Sequence, residues 1–166
     1  MAVFDEFLAA NETYQAQFTQ GALPIPPARK VAVLVCMDAR IAPAAVLGIE
    51  LGDAHIISNA GGRASEDALR SLVISQRLLG TQEIVVIHHT DCGMCTFSNA
   101  DIAAKIQADL GVDVGERDFL PFGDLEQSVR DDVATIRSSP LIPADIAISG
   151  AVYDVHTGAL KDIVRA

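Results

Sequence analysis

The sequence has no long apolar run, little positive charge and few cysteines, and each absence excludes a class of protein. No stretch approaches the ~20 consecutive apolar residues of a transmembrane helix, so we expect no membrane span. The 12 basic residues stand against 22 acidic ones, which gives a net charge of −10. That balance disfavours binding to nucleic acid or to an anionic membrane, because nothing would neutralise the phosphates.

The three cysteines are an odd number and do not predict a disulfide framework. Asp5 and Glu6 occupy the region where a secretory signal would be basic and then apolar. We therefore expect a cytoplasmic protein whose cysteines serve as metal ligands or catalytic groups. With 166 residues, half of them hydrophobic, the chain can form a single domain, 1–166, with a sizeable core.

Alternating strand and helix patterns predict an α/β domain with a mainly parallel sheet and helices on both faces. The last strand follows a short turn, so we expect it to pair antiparallel with the strand before it. The four parallel strands and this final strand are predicted at 31–36, 54–59, 83–88, 146–155 and 160–164. Helices are predicted at 2–18, 43–47, 65–80, after Cys92, at 101–110 and at 124–137.

The first helix is set apart from the sheet. Residues 2–18 form a helical arm, and the Pro-rich connector at 21–29 cannot continue that helix. Such an arm can pack on its own domain or on a partner subunit.

Polar side chains follow two of the predicted strands. Cys36, Asp38 and Arg40 come at the end of the first strand, and His89 and Cys92 follow the third. Open parallel sheets bind ligands beyond the carboxyl ends of their strands. If the two strands are neighbours, these side chains converge there.

Two thiolates and one imidazole are ligands that suit zinc, and three protein ligands leave a fourth position for water. The spacing of His89 and Cys92 lets one loop chelate an ion, with Cys36 as the third ligand. Zinc lowers the pKa of bound water from ~15.7 to ~7. A helix beginning near Asp91 would favour the Cys92 thiolate.

Asp38 lies close enough to Cys36 in sequence to reach the metal or its water. Arg40 can bind the Asp38 carboxylate through two parallel hydrogen bonds. This pair would lower the pKa of Asp38 and hold it away from the metal, with an oxygen free to accept the proton of a zinc-bound hydroxide. A broken pair would let Asp38 close the site as a fourth ligand.

The segment Cys-Met-Asp-Ala-Arg at 36–40, followed later by His-Thr-Asp-Cys-Gly at 89–93, resembles the β-class carbonic anhydrases. The similarity extends to 58–62 and 150–160, and it is strongest to the compact archaeal-type branch with the plant-type active site. It implies a parallel sheet extended by an antiparallel strand and one zinc ion per chain. It also implies reversible hydration of CO2 to bicarbonate and a proton.

The resemblance assigns roles to particular residues. Cys36, His89 and Cys92 would bind zinc, and Asp38 with Arg40 would form the catalytic dyad that orients the zinc-bound hydroxide. The family forms dimers, or dimers of dimers, in which the N-terminal helix embraces the partner. The same zinc site also suits hydrolysis of COS or CS2, which remains an alternative.

Other interpretations stay open at this point. Cys92 and Cys95 could form a closed zinc or redox site in a non-catalytic module, with the glycine turn holding an anion. Neighbours on a strand face opposite ways, so His88 is expected in packing or at the surface, or as a proton relay. Asp38 and Arg40 could also be an ordinary surface ion pair.

A narrow apolar pocket is expected for CO2. Gly61 or Gly62 could offer a backbone N–H to a substrate oxygen. The candidate wall residues are Ile41, Val46 and Met94, with Phe119 or Phe122 contributed by a partner subunit.

Overall fold

The computed structural model describes residues 2–166. The strands are β1 (Val31–Cys36), β2 (Ala54–Asn59), β3 (Glu83–His89), β4 (Ala147–Tyr153) and β5 (Leu160–Val164). The helices are α1 (Val3–Gln17), α2 (Pro43–Leu47), α3 (Glu66–Arg77), α4 (Asn99–Leu110) and α5 (Leu125–Ser138), with 3-10 turns at Ala60–Gly62 and Gly93–Cys95.

All five strands form one sheet in the order β2-β1-β3-β4-β5. The first four are parallel, and β5 pairs antiparallel with β4. The predicted fold class is therefore confirmed. Because β1 and β3 are central, both of their faces are covered, which explains their almost continuous apolar sequences.

The core has two layers, one on each face of the sheet. On one face Leu34 of β1 packs with Leu72 of α3 and Ile136 of α5. On the other face Val33 and Val35 pack with the α2 region. The alternation of side chains along β1 thus supplies both layers from one strand.

The prediction of a helix directly after Cys92 is wrong. Only the three-residue turn Gly93–Cys95 follows, and α4 begins at Asn99, where Ser98 and Asp101 form a capping box. Asp91 caps no helix, because its carboxylate binds Arg40 instead. The proposed helix-dipole effect on the Cys92 thiol therefore has no helix to produce it.

The N-terminal helix protrudes as expected. None of the residues Val3–Gln17, all described by the structure, is buried. Phe4, Phe7 and Tyr14 are 66%, 64% and 56% exposed. Within residues 2–166, no helix has both the length and the apolar character needed to cross a bilayer.

Candidate metal centre

The pairing of β1 with β3 brings two predicted ligand positions together. Val35 lies opposite Ile87 in parallel register, so Cys36 and His89 both lie at the carboxyl edge of the sheet. Cys92 reaches the same place from the loop after β3. One ligand atom from each of Cys36, His89 and Cys92 lies within 4.8 Å of the others, and all three residues are buried.

The tautomer of His89 prepares its other ring nitrogen for a metal. Nδ1 lies 2.8 Å from the carbonyl oxygen of Thr90, and a carbonyl can only accept, so Nδ1 carries the proton. In the neutral ring Nε2 then presents a lone pair, and this atom is buried without a hydrogen-bond partner among residues 2–166. Buried polar atoms are rarely left unpaired, so this nitrogen fits a metal ligand.

The pKa values of the two cysteines of this group shift in opposite directions. The neighbouring Cys92 thiol lowers the pKa of Cys36, against the opposing effect of burial. The nearby backbone N–H groups of Asp38 and Gly61 lower that pKa further. The same contact with Cys36, together with burial, raises the pKa of Cys92. Cys36 is therefore prepared as a thiolate, the form that binds metals.

Cys95 lies outside this group. Its side chain is exposed, whereas Cys36 and Cys92 are buried, and all three cysteines are free thiols. The Cys92-x-x-Cys95 spacing therefore does not, in this geometry, assemble a four-ligand set.

Asp38 and Arg40 form a two-point contact at the edge of the group. Arg40 Nε donates to Asp38 Oδ1 over 2.9 Å, and Nη2 donates to Oδ2 over 2.8 Å. These hydrogen bonds hold the pKa of Asp38 well below its usual range. Asp38 Oδ2 lies 3.7 Å from His89 Nε2, so the carboxylate borders the place where a metal would bind.

Arg40 has a second acidic partner that the sequence did not reveal. Its Nη1 donates to Asp91 Oδ2 over 2.7 Å, and its Nη2 donates to the Asp91 carbonyl over 3.0 Å. The guanidinium is thus fixed from two sides, by residues that follow β1 and β3. No short motif signals this contact, because it joins segments far apart in sequence.

The glycine turn after β2 passes directly over the strand ends. Asn59 binds the backbone N–H and carbonyl of Arg63 and closes this turn. Gly62 has φ +67°, and a Cβ there would meet Cys36 N and Ile87 O at 2.9 Å each. The Gly61 N–H, which the sequence offers to a substrate oxygen, is also near enough to the Cys36 sulfur to lower the pKa of that thiol.

Apolar side chains border the group of ligands. Met94 is buried in one cluster with Cys36 and Cys92, and the residues packed against this cluster are Ile41, Phe97 and Phe122. Phe122 comes from the same chain. Val46 packs instead under the other face of the sheet, with Val33 and Val35. A groove of about 1190 Å³ lies between α3 and segments 117–120 and 139–141, and none of the three candidate ligands lines it.

His88 is not at the surface, contrary to one of its expected placements. It is fully buried, with Nδ1 2.7 Å from Ser128 Oγ and Nε2 3.0 Å from Asp132 Oδ2. Asp132 also accepts from Arg63 Nε over 2.7 Å. Sequence reasoning did not find Arg63 or Asp132, because their contact joins residues 69 positions apart in the chain.

Comparisons with known proteins found similar sequences and folds. A family model described as carbonic anhydrase matches residues 31–113. The chain is 42% identical to β-carbonic anhydrase 1 of Mycobacterium tuberculosis, over 98% of this chain and 99% of that protein. It is 36% identical to a carbon disulfide hydrolase of Saccharolobus solfataricus, over 95% of this chain and 87% of that protein. A solved carbonic anhydrase of Streptococcus mutans is 53% identical and superposes with a TM-score of 0.96, over 99% of each chain.

Replacing Gly62 with Ala should destabilise the protein more than the same change at Gly111. Both glycines have positive φ, +67° and +68°, but nothing lies within 4 Å of a Cβ at Gly111. The left-handed backbone costs about 1–2 kcal/mol at either site, and overlap with backbone atoms adds about 1–3 kcal/mol at Gly62. Urea unfolding measures the difference, and equal losses in the two variants would contradict the close approach.

Proposed function

Because the chain belongs to the β-carbonic anhydrase family, we propose that it catalyses the reversible hydration of CO2 to bicarbonate and a proton. The zinc ligands in this proposal are Cys36, His89 and Cys92. The observation that carries it is the buried, unpartnered Nε2 of His89, in a group whose ligand atoms lie within 4.8 Å of one another. Two sulfurs and an imidazole nitrogen form a set that zinc prefers.

Zinc bound by three protein ligands keeps a position for water and lowers the pKa of that water to ~7, which makes it a nucleophile at neutral pH. The protein's part is to provide this ligand set and to keep the site bordered by apolar groups. A metal binds the thiolate form of Cys36 and the neutral ring of His89 that carries its proton on Nδ1.

Asp38 orients the attacking water in this proposal. Its carboxylate is held by Arg40 at both oxygens, yet carboxylate oxygens retain further lone pairs for a hydrogen bond from water. Because its pKa is depressed, Asp38 is a weak base, so we assign it hydrogen-bond acceptance and not proton uptake. The proton released by the reaction then leaves to solvent along the edge where Arg40 is 44% exposed.

The substrate pocket we propose is formed by Ile41 and Met94, next to Phe97 and Phe122. CO2 is small and apolar, so these side chains suit it better than charged ones would. Gly61 and Gly62 form the wall above Cys36. We assign the turn the shaping of the pocket, and the nearby Gly61 N–H favours the Cys36 thiolate by lowering its pKa.

Hydrolysis of CS2 or COS at the same site is the second candidate. The relative from Saccharolobus solfataricus named as a carbon disulfide hydrolase favours it. Both reactions need the same ligand set, and they differ in the size of the molecule that must reach it.

Zinc content and stopped-flow CO2 hydration on three proteins test the proposal. The wild type should bind one zinc per chain and hydrate CO2. Cys36→Ser should lose zinc and activity, because a hydroxyl is a poor replacement for a thiolate ligand. Cys95→Ser is the matched control and should keep both.

Two outcomes would contradict parts of the proposal. Zinc lost from Cys95→Ser would overturn the ligand set. Zinc bound without CO2 hydration would reject the reaction, and turnover of COS or CS2 by the same sample would establish the second candidate.

Asp38→Ala should keep its zinc but lose about 10²–10³ in kcat, the usual cost of a missing group that orients or stabilises the reacting atoms. Asp91→Ala is the matched comparison, because it also removes a carboxylate from Arg40 but leaves the Asp38–Arg40 contact. We expect it to lose much less. Full hydration activity per bound zinc in Asp38→Ala would reject the dyad.

We also propose that the protein is a cytoplasmic homodimer, or a dimer of dimers, in which α1 packs on the partner. Three free thiols suit a reducing compartment. A 15-residue helix with no buried residue is marginal in water, and its large exposed apolar side chains would gain by burial. A second copy of the chain is the partner we assign to it.

Replacing Phe4 and Phe7 together with Ser should convert the dimer into monomer in sedimentation analysis. These two side chains, 66% and 64% exposed, lie one turn apart on α1 and supply much of its apolar surface. The control replaces Glu6 and Thr13, which lie on the other side of the helix, with Ser. A dimer that persists in the Phe4/Phe7 variant would exclude α1 as the contact.

A further inference from the structure

A buried polar cluster lies on the opposite side of β3 from His89. It consists of Arg63, Asp132 and His88, whose side chains are 13%, 4% and 0% exposed. Asp132 Oδ2 accepts from Arg63 Nε over 2.7 Å and lies 3.0 Å from His88 Nε2. His88 Nε2 is also 3.3 Å from the carbonyl of Gly62. The polar cluster therefore joins α5, the glycine turn and the end of β3.

Phe122 connects the polar cluster to the candidate metal centre. Its ring stacks on His88, with centroids 5.4 Å apart and planes 22° apart. The Arg63 guanidinium carbon lies 5.3 Å from the ring centroid, within the range of a cation–π contact. The same ring packs against the cluster of Cys36, Cys92 and Met94. Any shift of the polar cluster would therefore move one wall of the proposed pocket.

The segment that carries Phe122 is held by side-chain hydrogen bonds, among them those of Asn99 to Asp118 and to Phe119 N. Residues 111–124 contain no helix or strand, and Leu120 has φ +60°, an unusual backbone conformation for a bulky residue. Arg63 Nη1 donates to the Leu120 carbonyl over 2.7 Å, and Phe122 N donates to the Met94 carbonyl over 3.2 Å. Strained residues persist where their surroundings fix them, and here Asp118 holds the Leu120 N–H while Arg63 holds its carbonyl.

Stability alone does not require charged groups at this position. Apolar residues of similar volume often replace a buried ion pair without loss of stability. Charged hydrogen bonds differ from apolar contacts in having fixed directions and lengths. Arg63 uses this property twice, on Asp132 and on Leu120.

We propose that Arg63, Asp132 and His88 are positioning residues that hold Phe122 against the candidate metal centre and so set the width of its apolar pocket. The consequence for substrate choice rests on the function proposed above. A fixed ring favours the smaller CO2, whereas a displaced ring admits molecules with larger sulfur atoms.

The position of the ring can be measured without activity. The chain has three methionines, so a zinc-loaded sample labelled with 13C at the methionine methyl groups gives a simple NMR spectrum. Met94 lies in the cluster against which Phe122 packs, so ring currents shift its methyl resonance. Met37, 66% exposed, serves as the internal reference, and Phe122→Leu gives the position of the Met94 resonance without the ring.

Two variants displace the ring by different routes. Arg63→Lys keeps the charge but cannot bind Asp132 and Leu120 together, and its control is Arg70→Lys, an exposed arginine paired with Asp67. Asp132→Asn keeps the shape of the side chain, and its control is Asp131→Asn, an exposed neighbour on α5. In both test variants the Met94 resonance should move toward its position in Phe122→Leu, while both controls keep the wild-type position. The ratio of COS to CO2 turnover should rise several-fold in the same two variants.

Each result decides a part of the inference. A Met94 resonance that moves in Phe122→Leu but stays in place in both test variants would overturn the positioning role. A resonance unmoved even in Phe122→Leu would show that the ring is not at this wall. Loss of the fold in both test variants would assign the polar cluster to stability alone. A moved resonance with an unchanged turnover ratio would reject the effect on substrate choice. If the wild type did not hydrate CO2, the proposed function would fail, while the NMR result would still decide the position of Phe122.

Discussion

The two central strands β1 and β3 lie side by side and run in the same direction, with Val35 opposite Ile87. Everything at the candidate metal centre depends on this pairing. It places Cys36 and His89 at the same edge of the sheet. The short loop after β3 then brings Cys92 next to them. A register shift of one residue would turn either side chain to the other face of the sheet, and the ligand atoms would no longer meet.

Two Arg–Asp pairs flank this edge, and their surroundings give them different properties. The Arg40–Asp38 side chains are 44% and 19% exposed, so water can reach the carboxylate that we assign to the reacting molecule. The Arg63–Asp132 side chains are 13% and 4% exposed. Burial makes the second pair strongly dependent on geometry, since an unpaired charge there would be costly. The exposed pair is therefore suited to exchange with solvent, and the buried pair to holding neighbours in place.

The sequence predicted the local features well. β1, β2 and β5 follow from apolar runs bounded by turn residues, and the order of strands and helices was enough to indicate a mainly parallel sheet. Because side chains alternate along a strand, the sequence correctly predicted that His88 and His89 face opposite sides of β3. The sequence did not reveal Asp91, Arg63 or Asp132 as parts of the site. Their contacts join distant segments, and no periodicity or short motif records such a contact. The prediction of a helix after Cys92 was wrong. Asp91 is a residue type that often caps helices, but here its carboxylate accepts a hydrogen bond from Arg40.

Two residues near the site have left-handed backbone, and each receives the same kind of hydrogen bond. Asp91 and Leu120 both have positive φ, +55° and +60°, and each carbonyl accepts a hydrogen bond from an arginine that also binds an aspartate. Asp visits this conformation fairly readily, but for Leu120 it costs about 1–2 kcal/mol. A hydrogen bond from a charged group contributes about 1.5–3 kcal/mol, enough to offset that strain. Each arginine thus connects an ion pair to a loop with left-handed backbone: Arg40 to the loop of Asp91, and Arg63 to the loop that carries Phe122. Replacing either arginine frees a loop and also leaves an aspartate without its ion-pair partner. The wall of the candidate metal centre beside that arginine should therefore lose its structure while the sheet stays ordered.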